Sequence, residues 1–123
     1  MPPPTVLVVE DDPVILRLLE VNFQLEGFTV LLAHDGAEGI DLARVHKPDL
    51  VISDIMMPRT SGLELVAALK GEPDTKGIPI ILLSAKAQTS DLKSGMDSGA
   101  DDYITKPFEP LDLVDRVNAL LSR

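Results

Sequence analysis

The sequence predicts an α/β domain, a five-stranded parallel sheet wound with helices on both faces in a doubly wound (βα)5 arrangement. Three observations predict it. Short apolar runs alternate five times with segments of helical period. The runs are continuous rather than alternately polar, as strands covered on both faces should be. The whole pattern fits within 123 residues, one domain's length of chain.

The first run, TVLVV (5–9), is β-branched and bounded by polar residues, and reads as a strand. Asp12 and Pro13 then form a helix start, Asp as N-cap and Pro at the first helical position. Val14, Leu18 and Val21, flanked by Ile15, Leu19 and Asn22, repeat at the helical period and set the expected core face, and Gly27 suits the stop. FTVLLA (28–33) is the second strand, and GAEGIDLARVHK (36–47) is a helix halted by Pro48. DLVISD (49–54) and GLELVAALKG (62–71) form the third pair. IPIILLSA (78–85) is the fourth strand, followed by SDLKSGMDSG (90–99), a polar helix of poor propensity. DYIT (102–105) and LDLVDRVNALL (111–121) complete the series. No internal linker or repeat interrupts it, so residues 5–122 are expected to be one domain after a short extended tail, 1–4.

Composition excludes several classes of function. The 11 Lys and Arg stand against 20 Asp and Glu, a net charge of −9, which argues against direct nucleic-acid binding through clustered cations. No apolar run approaches the roughly 18 residues of a membrane span. The opening MPPPTV lacks the basic and apolar regions of a secretory signal, and the absence of cysteine excludes disulfides and thiol chemistry. A cytoplasmic protein is expected.

Ligands of open parallel sheets bind beyond the carboxyl ends of the strands. The first strand ends in Glu10 and Asp11, with Asp12 just beyond; the third in Asp54, followed by IMMPRTSG; the fourth in Ser84; the fifth in ITKPF, which places Lys106 before Pro107. The second ends at Ala33–His34 without evident chemistry. With the other four strands adjacent, one pocket would hold three carboxylates, a hydroxyl and an ammonium. Three carboxylates repel unless a proton or a cation sits among them, and an oxygen-only donor set suits Mg²⁺. Asp12 serves equally well as a helix cap. A carboxylate beside Mg²⁺, a hydroxyl and a lysine is also a kit for phosphoryl transfer, with Asp54 as nucleophile and Mg²⁺, Lys106 and Ser84 each holding a phosphoryl oxygen.

The motifs VVEDD (8–12), DLVISDIMMPRTSG (49–62), LLSA (82–85) and GADDYITKPF (99–108) together resemble the receiver domain of two-component response regulators, over nearly the whole chain. The resemblance implies the flavodoxin-like topology of that family. It implies that Asp54 is the phosphoacceptor, that Glu10 and Asp11 are acids of the Mg²⁺ site, and that the backbone carbonyl of Met56 is a further ligand. Ser84 matches the switch hydroxyl, Tyr103 the switch aromatic and Lys106 the family's lysine, with a cis bond to Pro107. Position 10 is Glu where many members have Asp, which implies a water-mediated ligand; Ser84 stands where Thr is equally common.

The implied activity is Mg²⁺-dependent acceptance of a phosphoryl group from a sensor histidine kinase, a histidine phosphotransfer protein or a small phosphodonor, followed by hydrolysis. That is self-modification by a regulator rather than conventional enzymatic turnover. The modification adds about −1.5 to −2 charges. Ser84 turning toward it would leave space for Tyr103, altering the face of the fourth helix, fifth strand and last helix that meets an output domain or partner. The protein would be a monomer or a phosphorylation-dependent dimer. Asp102 and Arg116 resemble one ion pair by which relatives with winged-helix outputs dimerise, while Leu92 and Asn118 stand where basic partners are usual.

His34 and His46 lack a supporting carboxylate in a four-helix setting and read as surface residues. Met56 and Met57 are expected to pack or gate access beside the site. Rival readings lack their own signatures. A haloacid-dehalogenase-type phosphatase needs an acid two residues after its nucleophile, where Met56 stands. A flavin carrier needs a phosphate loop where EDDPV stands, and aromatics beyond the 3% present. A receiver-like constitutive binding module would not demand all five site residues together.

Overall fold

Five parallel strands, β1 (Thr5–Val9), β2 (Thr29–Ala33), β3 (Leu50–Asp54), β4 (Ile80–Ala85) and β5 (Asp102–Lys106), form one sheet in the order β2-β1-β3-β4-β5. The computed structural model describes residues 3–57, 60–85 and 99–122. Within them lie helices α1 (Pro13–Leu25), α2 (Gly36–His46), α3 (Gly62–Lys70) and a C-terminal helix (Pro110–Leu121). The helix expected over 90–99 lies outside the described residues except for Gly99, which has a φ of +108°. No helix among the described residues is long and apolar enough to cross a membrane.

The chain leaves β1 for β2 on one side and returns as β3 on the other, so the strand order reverses between β1 and β3. Each strand alternates its side chains between two cores. Val6, Val8, Leu50, Ile52, Ile81, Leu83 and Ile104 face α1 and the C-terminal helix, while Leu7, Val9, Val51, Ile80 and Leu82 face α2 and α3. Burial on both faces is why the strands read as unbroken apolar runs.

On α1 the structure corrects the expected core face. Leu16, Leu19 and Phe23 are the buried residues, whereas Val14 is 74% and Leu18 43% exposed. The helix carries apolar side chains around most of its girth, so two apolar series satisfy the same period, and packing on the sheet selects the second. Helix starts follow side-chain chemistry. Asp12 Oδ1 accepts from the Val14 amide at 2.9 Å, Asp35 from the Glu38 amide at 2.9 Å, and Ser61 from the Glu64 amide at 3.2 Å.

The amino edge of the sheet is fastened by Lys70. Its Nζ donates to the carbonyls of Ile78 at 2.8 Å and Lys76 at 3.2 Å and to Asp101 Oδ2 at 3.1 Å. That same Oδ2 accepts from the Ile80 amide at 2.8 Å, tying the end of α3 to the starts of β4 and β5.

Candidate functional site

Strand alternation builds the site. Glu10, Asp54 and Lys106 each lie two residues beyond a residue of the core against α1, namely Val8, Ile52 and Ile104, so all three continue one row at the carboxyl edge, Asp54 and Lys106 as the last residues of β3 and β5 and Glu10 just past β1. Lys106 belongs to β5, separated from β3 by β4, and its long side chain spans that gap. Its Nζ lies 2.8 Å from Glu10 Oε1 and 2.9 Å from Asp54 Oδ2. Glu10 is fully buried and Asp54 nearly so, and Glu10 Oε2 also accepts from the Asp12 amide at 3.2 Å. Asp11 is exposed, yet carboxylate oxygens of Glu10, Asp11 and Asp54 lie within 4.8 Å of one another.

Charge in this cluster does not balance. Burial, aided by the neighbouring Asp54, pushes the Glu10 carboxyl up to about 7 despite its hydrogen bond from Lys106. Burial also pulls the Lys106 ammonium down, but its hydrogen bonds to Glu10 and Asp54 outweigh that effect, and its pKa lies above the ordinary lysine value. One ammonium thus faces two buried carboxylates, with a third at the rim. The donors are all carboxylate oxygens, which fits a hard divalent cation such as Mg²⁺ and not a thiolate- or imidazole-bound metal.

Ser84 and Tyr103 fall on the other row. Ser84 follows Ile80 and Leu82 along the face toward α2 and α3, is buried, and stands opposite Thr105 in the register. Tyr103 is half-buried against that second core, and its carbonyl accepts from Arg116 Nη1 at 3.3 Å. Arg116 also meets Asp102 Oδ1 at 3.0 Å, so the expected ion pair forms within one chain. Leu92 lies outside the described residues, and Asn118 is exposed. The two methionines divide the expected roles: Met57 packs against the second core, while the Met56 side chain is exposed. His34 and His46 are both on the surface; His34 Nδ1 does have a carboxylate near it, Glu38 Oε1 at 3.2 Å. The Lys106–Pro107 bond is cis.

Two features escaped sequence reasoning. Gly62, the first residue of α3, presses on the strand end: a Cβ there would collide with the Asp54 carbonyl oxygen, and its amide donates to the Ile55 carbonyl at 2.9 Å. The only signal for it was a glycine at a helical position that does not require one. Beside the site, Ile15, Leu18, Pro107 and Phe108 line an apolar cleft of about 340 Å³ that shares Lys106 with the carboxylate cluster.

Comparison with known proteins places this geometry in a family. Residues 6–118 match the family model described as the response regulator receiver domain. The chain is 41% identical over 120 residues to the DNA-binding dual master transcriptional regulator RpaA of Synechocystis sp., covering 98% of this chain and 50% of that protein. It is 41% identical over 118 residues to the DNA-binding response regulator MtrA of Mycolicibacterium smegmatis, covering 96% and 50%. The chain thus spans about half the length of the curated relatives it matches. Among solved structures, a putative response regulator from Chloroflexus aurantiacus aligns with a TM-score of 0.94 at 36% identity, covering 98% of this chain and 99% of that one. The receiver domain of a sensor histidine kinase from Pseudomonas aeruginosa, described with a magnesium ion coordinated in its active-site cleft, aligns with a TM-score of 0.91 at 26% identity, covering 98% and 99%. With five parallel strands in the order β2-β1-β3-β4-β5 and an acid cluster at their carboxyl edge, this chain belongs to the receiver domains of two-component response regulators.

Proposed function

We propose that this domain, residues 5–122, is a phosphoacceptor switch in which Asp54 takes a phosphoryl group from a histidine kinase, a histidine phosphotransfer protein or a small acyl phosphate. The observation that carries this reading is the single ammonium of Lys106 held between Glu10 and Asp54 at 2.8 and 2.9 Å. An Asp54 carboxylate oxygen attacks phosphorus, the bond from phosphorus to the donor's nitrogen or oxygen breaks, and the leaving group departs with that electron pair. Lys106, already at Asp54, turns a donor toward a phosphoryl oxygen, and the Ser84 hydroxyl serves another. Glu10 and Asp11, with the Met56 carbonyl, would hold Mg²⁺, which when bound neutralises charge on the phosphoryl oxygens. Water attack on phosphorus then breaks its bond to the Asp54 oxygen, releasing inorganic phosphate and returning the free carboxylate.

The apolar cleft of Ile15, Leu18, Pro107 and Phe108 adjoins Lys106, and supports docking of a donor protein whose phosphohistidine must reach that mouth. Ser84, near the carboxyl end of β4, and Tyr103, on the same face near the start of β5, supply the two-state element, read out through segment 90–99, β5 and the C-terminal helix by an output domain or partner. The named relatives are DNA-binding proteins about twice as long. In this reading DNA contact belongs to an output domain and not to this domain of net charge −9, which works in the cytoplasm as a monomer or a phosphorylation-dependent dimer.

Intact mass after incubation with acetyl phosphate tests the reading. One phosphoryl group on the wild type, absent without Mg²⁺ and absent in Asp54→Asn, is the expected result. An adduct that persists in Asp54→Asn would sink it.

A further inference from the structure

Helix α2 supplies no group to the acid cluster, yet it begins with a buried glycine that the helix itself does not require. Gly36 has no positive φ, unlike Gly27 and Gly99, and glycine is among the poorest helix formers. What demands it is space. A Cβ at Gly36 would collide with the Thr60 carbonyl oxygen and lie 2.8 Å from both Cβ and Cγ2 of Thr60. Thr60 belongs to the connection between β3 and α3, which leaves Asp54 through Met56 and is closed at its far end by Gly62 against the Asp54 carbonyl. The connection is therefore clamped at two points by glycines, one from α3 and one from α2.

Gly39, one turn on, faces different neighbours. A Cβ there would meet Val9 Cγ2 at 2.7 Å and Leu65 Cδ1 at 3.0 Å, which are side-chain methyls of the core and not this connection. The two glycines are thus both buried on one helix but separate loop contact from core contact.

We propose that Gly36 is a positioning residue for the metal site: by lacking a side chain it lets α2 close on Thr60 and sets the β3–α3 connection, with its Met56 carbonyl, against Asp54. This rests on the metal reading proposed above, in which the Met56 carbonyl joins Glu10, Asp11 and Asp54. Backbone that carries a ligand carbonyl must be held to a fraction of an ångström, and groups that orient a ligand from outside commonly change metal affinity by about 10–100-fold when altered.

Calorimetric titration of Mg²⁺ into the wild type, Gly36→Ala, Gly39→Ala and Gly77→Ala, alongside thermal unfolding without Mg²⁺, tests it. Gly36→Ala is expected to weaken Mg²⁺ binding about tenfold or more. Gly39→Ala should lower Tm while keeping wild-type affinity. Gly77→Ala, where a Cβ meets nothing within 4 Å, should change neither. Thr60→Gly removes the Cβ and Cγ2 beside Gly36, keeps the backbone carbonyl that is the nearest contact, and leaves α2 intact. It is expected to weaken affinity in the same direction, which keeps the test open if Gly36→Ala does not fold. Wild-type affinity in a folded Gly36→Ala or in Thr60→Gly would overturn the inference, as would equal losses in Gly36→Ala and Gly39→Ala. A wild type that takes up no Mg²⁺ would overturn the metal reading itself and the inference with it.

Discussion

Lys70 and Lys106 stand at opposite edges of one sheet, each with 20% of its side chain exposed. At the amino edge, the three donors of Lys70 are matched by two carbonyls and one carboxylate, so its charge meets one opposite charge. At the carboxyl edge, Lys106 meets two carboxylates, with a third within 4.8 Å. The first arrangement is complete and acts as a fastening. The second sets two buried carboxylates and a third at the rim around one ammonium, and once Glu10 is ionised that surplus of negative charge is what a cation would relieve. The difference lies in the balance of partners, not in the lysines.

Neutralising Asp54 should separate the two edges most sharply: Asp54→Asn is expected to reduce phosphoryl uptake to background, read by intact mass, with the amino edge untouched. Next is the paired exchange of the lysines. Lys106→Met should slow phosphoryl uptake by roughly 100-fold or more. Lys70→Met should leave uptake near wild type but cost about 1–3 kcal/mol in denaturant unfolding, because the Ile78 carbonyl loses this donor and Asp101 keeps only the Ile80 amide. Equal effects on uptake would erase the distinction.

A smaller effect comes from pH. Glu10 ionises near its ordinary 4.5 when unfolded but at about 7 in the folded chain, so the native state holds an extra proton between those values. Metal-free stability should therefore decline as pH rises from about 4.5 to about 7, and this component should vanish in Glu10→Gln. Urea unfolding across that range, without Mg²⁺, measures it; a rise in stability attributable to Glu10 would be the wrong sign. The smallest expected change is at the exposed Arg116–Asp102 pair, where Arg116→Ala should cost no more than about 1 kcal/mol and leave phosphoryl uptake unchanged.

Much of the carboxyl edge was legible because strands buried on both faces are unbroken apolar runs, and the charges that stop them are conspicuous. Glu10, Asp11, Asp54 and Lys106 were found in that way, and the structure brings them together. The amino edge was not legible. Nothing in the one-dimensional pattern pairs Lys70 with Asp101, thirty-one residues away, or says that two carbonyls will complete the set. The core face of α1 was misread for a related reason, since a helix apolar on most sides leaves the choice to its neighbours. Strand β4 begins at Ile80 and not at residue 78, because the Ile78 amide is taken by the Thr75 carbonyl in the preceding turn. The close approaches of Gly36 and Gly62 were visible only as glycines without a conformational need.

The most direct measurement of the charge surplus is a calorimetric titration of Mg²⁺ into the wild type and into the double variant Glu10→Gln, Asp11→Asn. One saturable site in the wild type, lost in the double variant, is the predicted result. Binding that survives removal of both acids, or no binding by the wild type, would contradict the assignment of this edge as a cation and phosphoryl site.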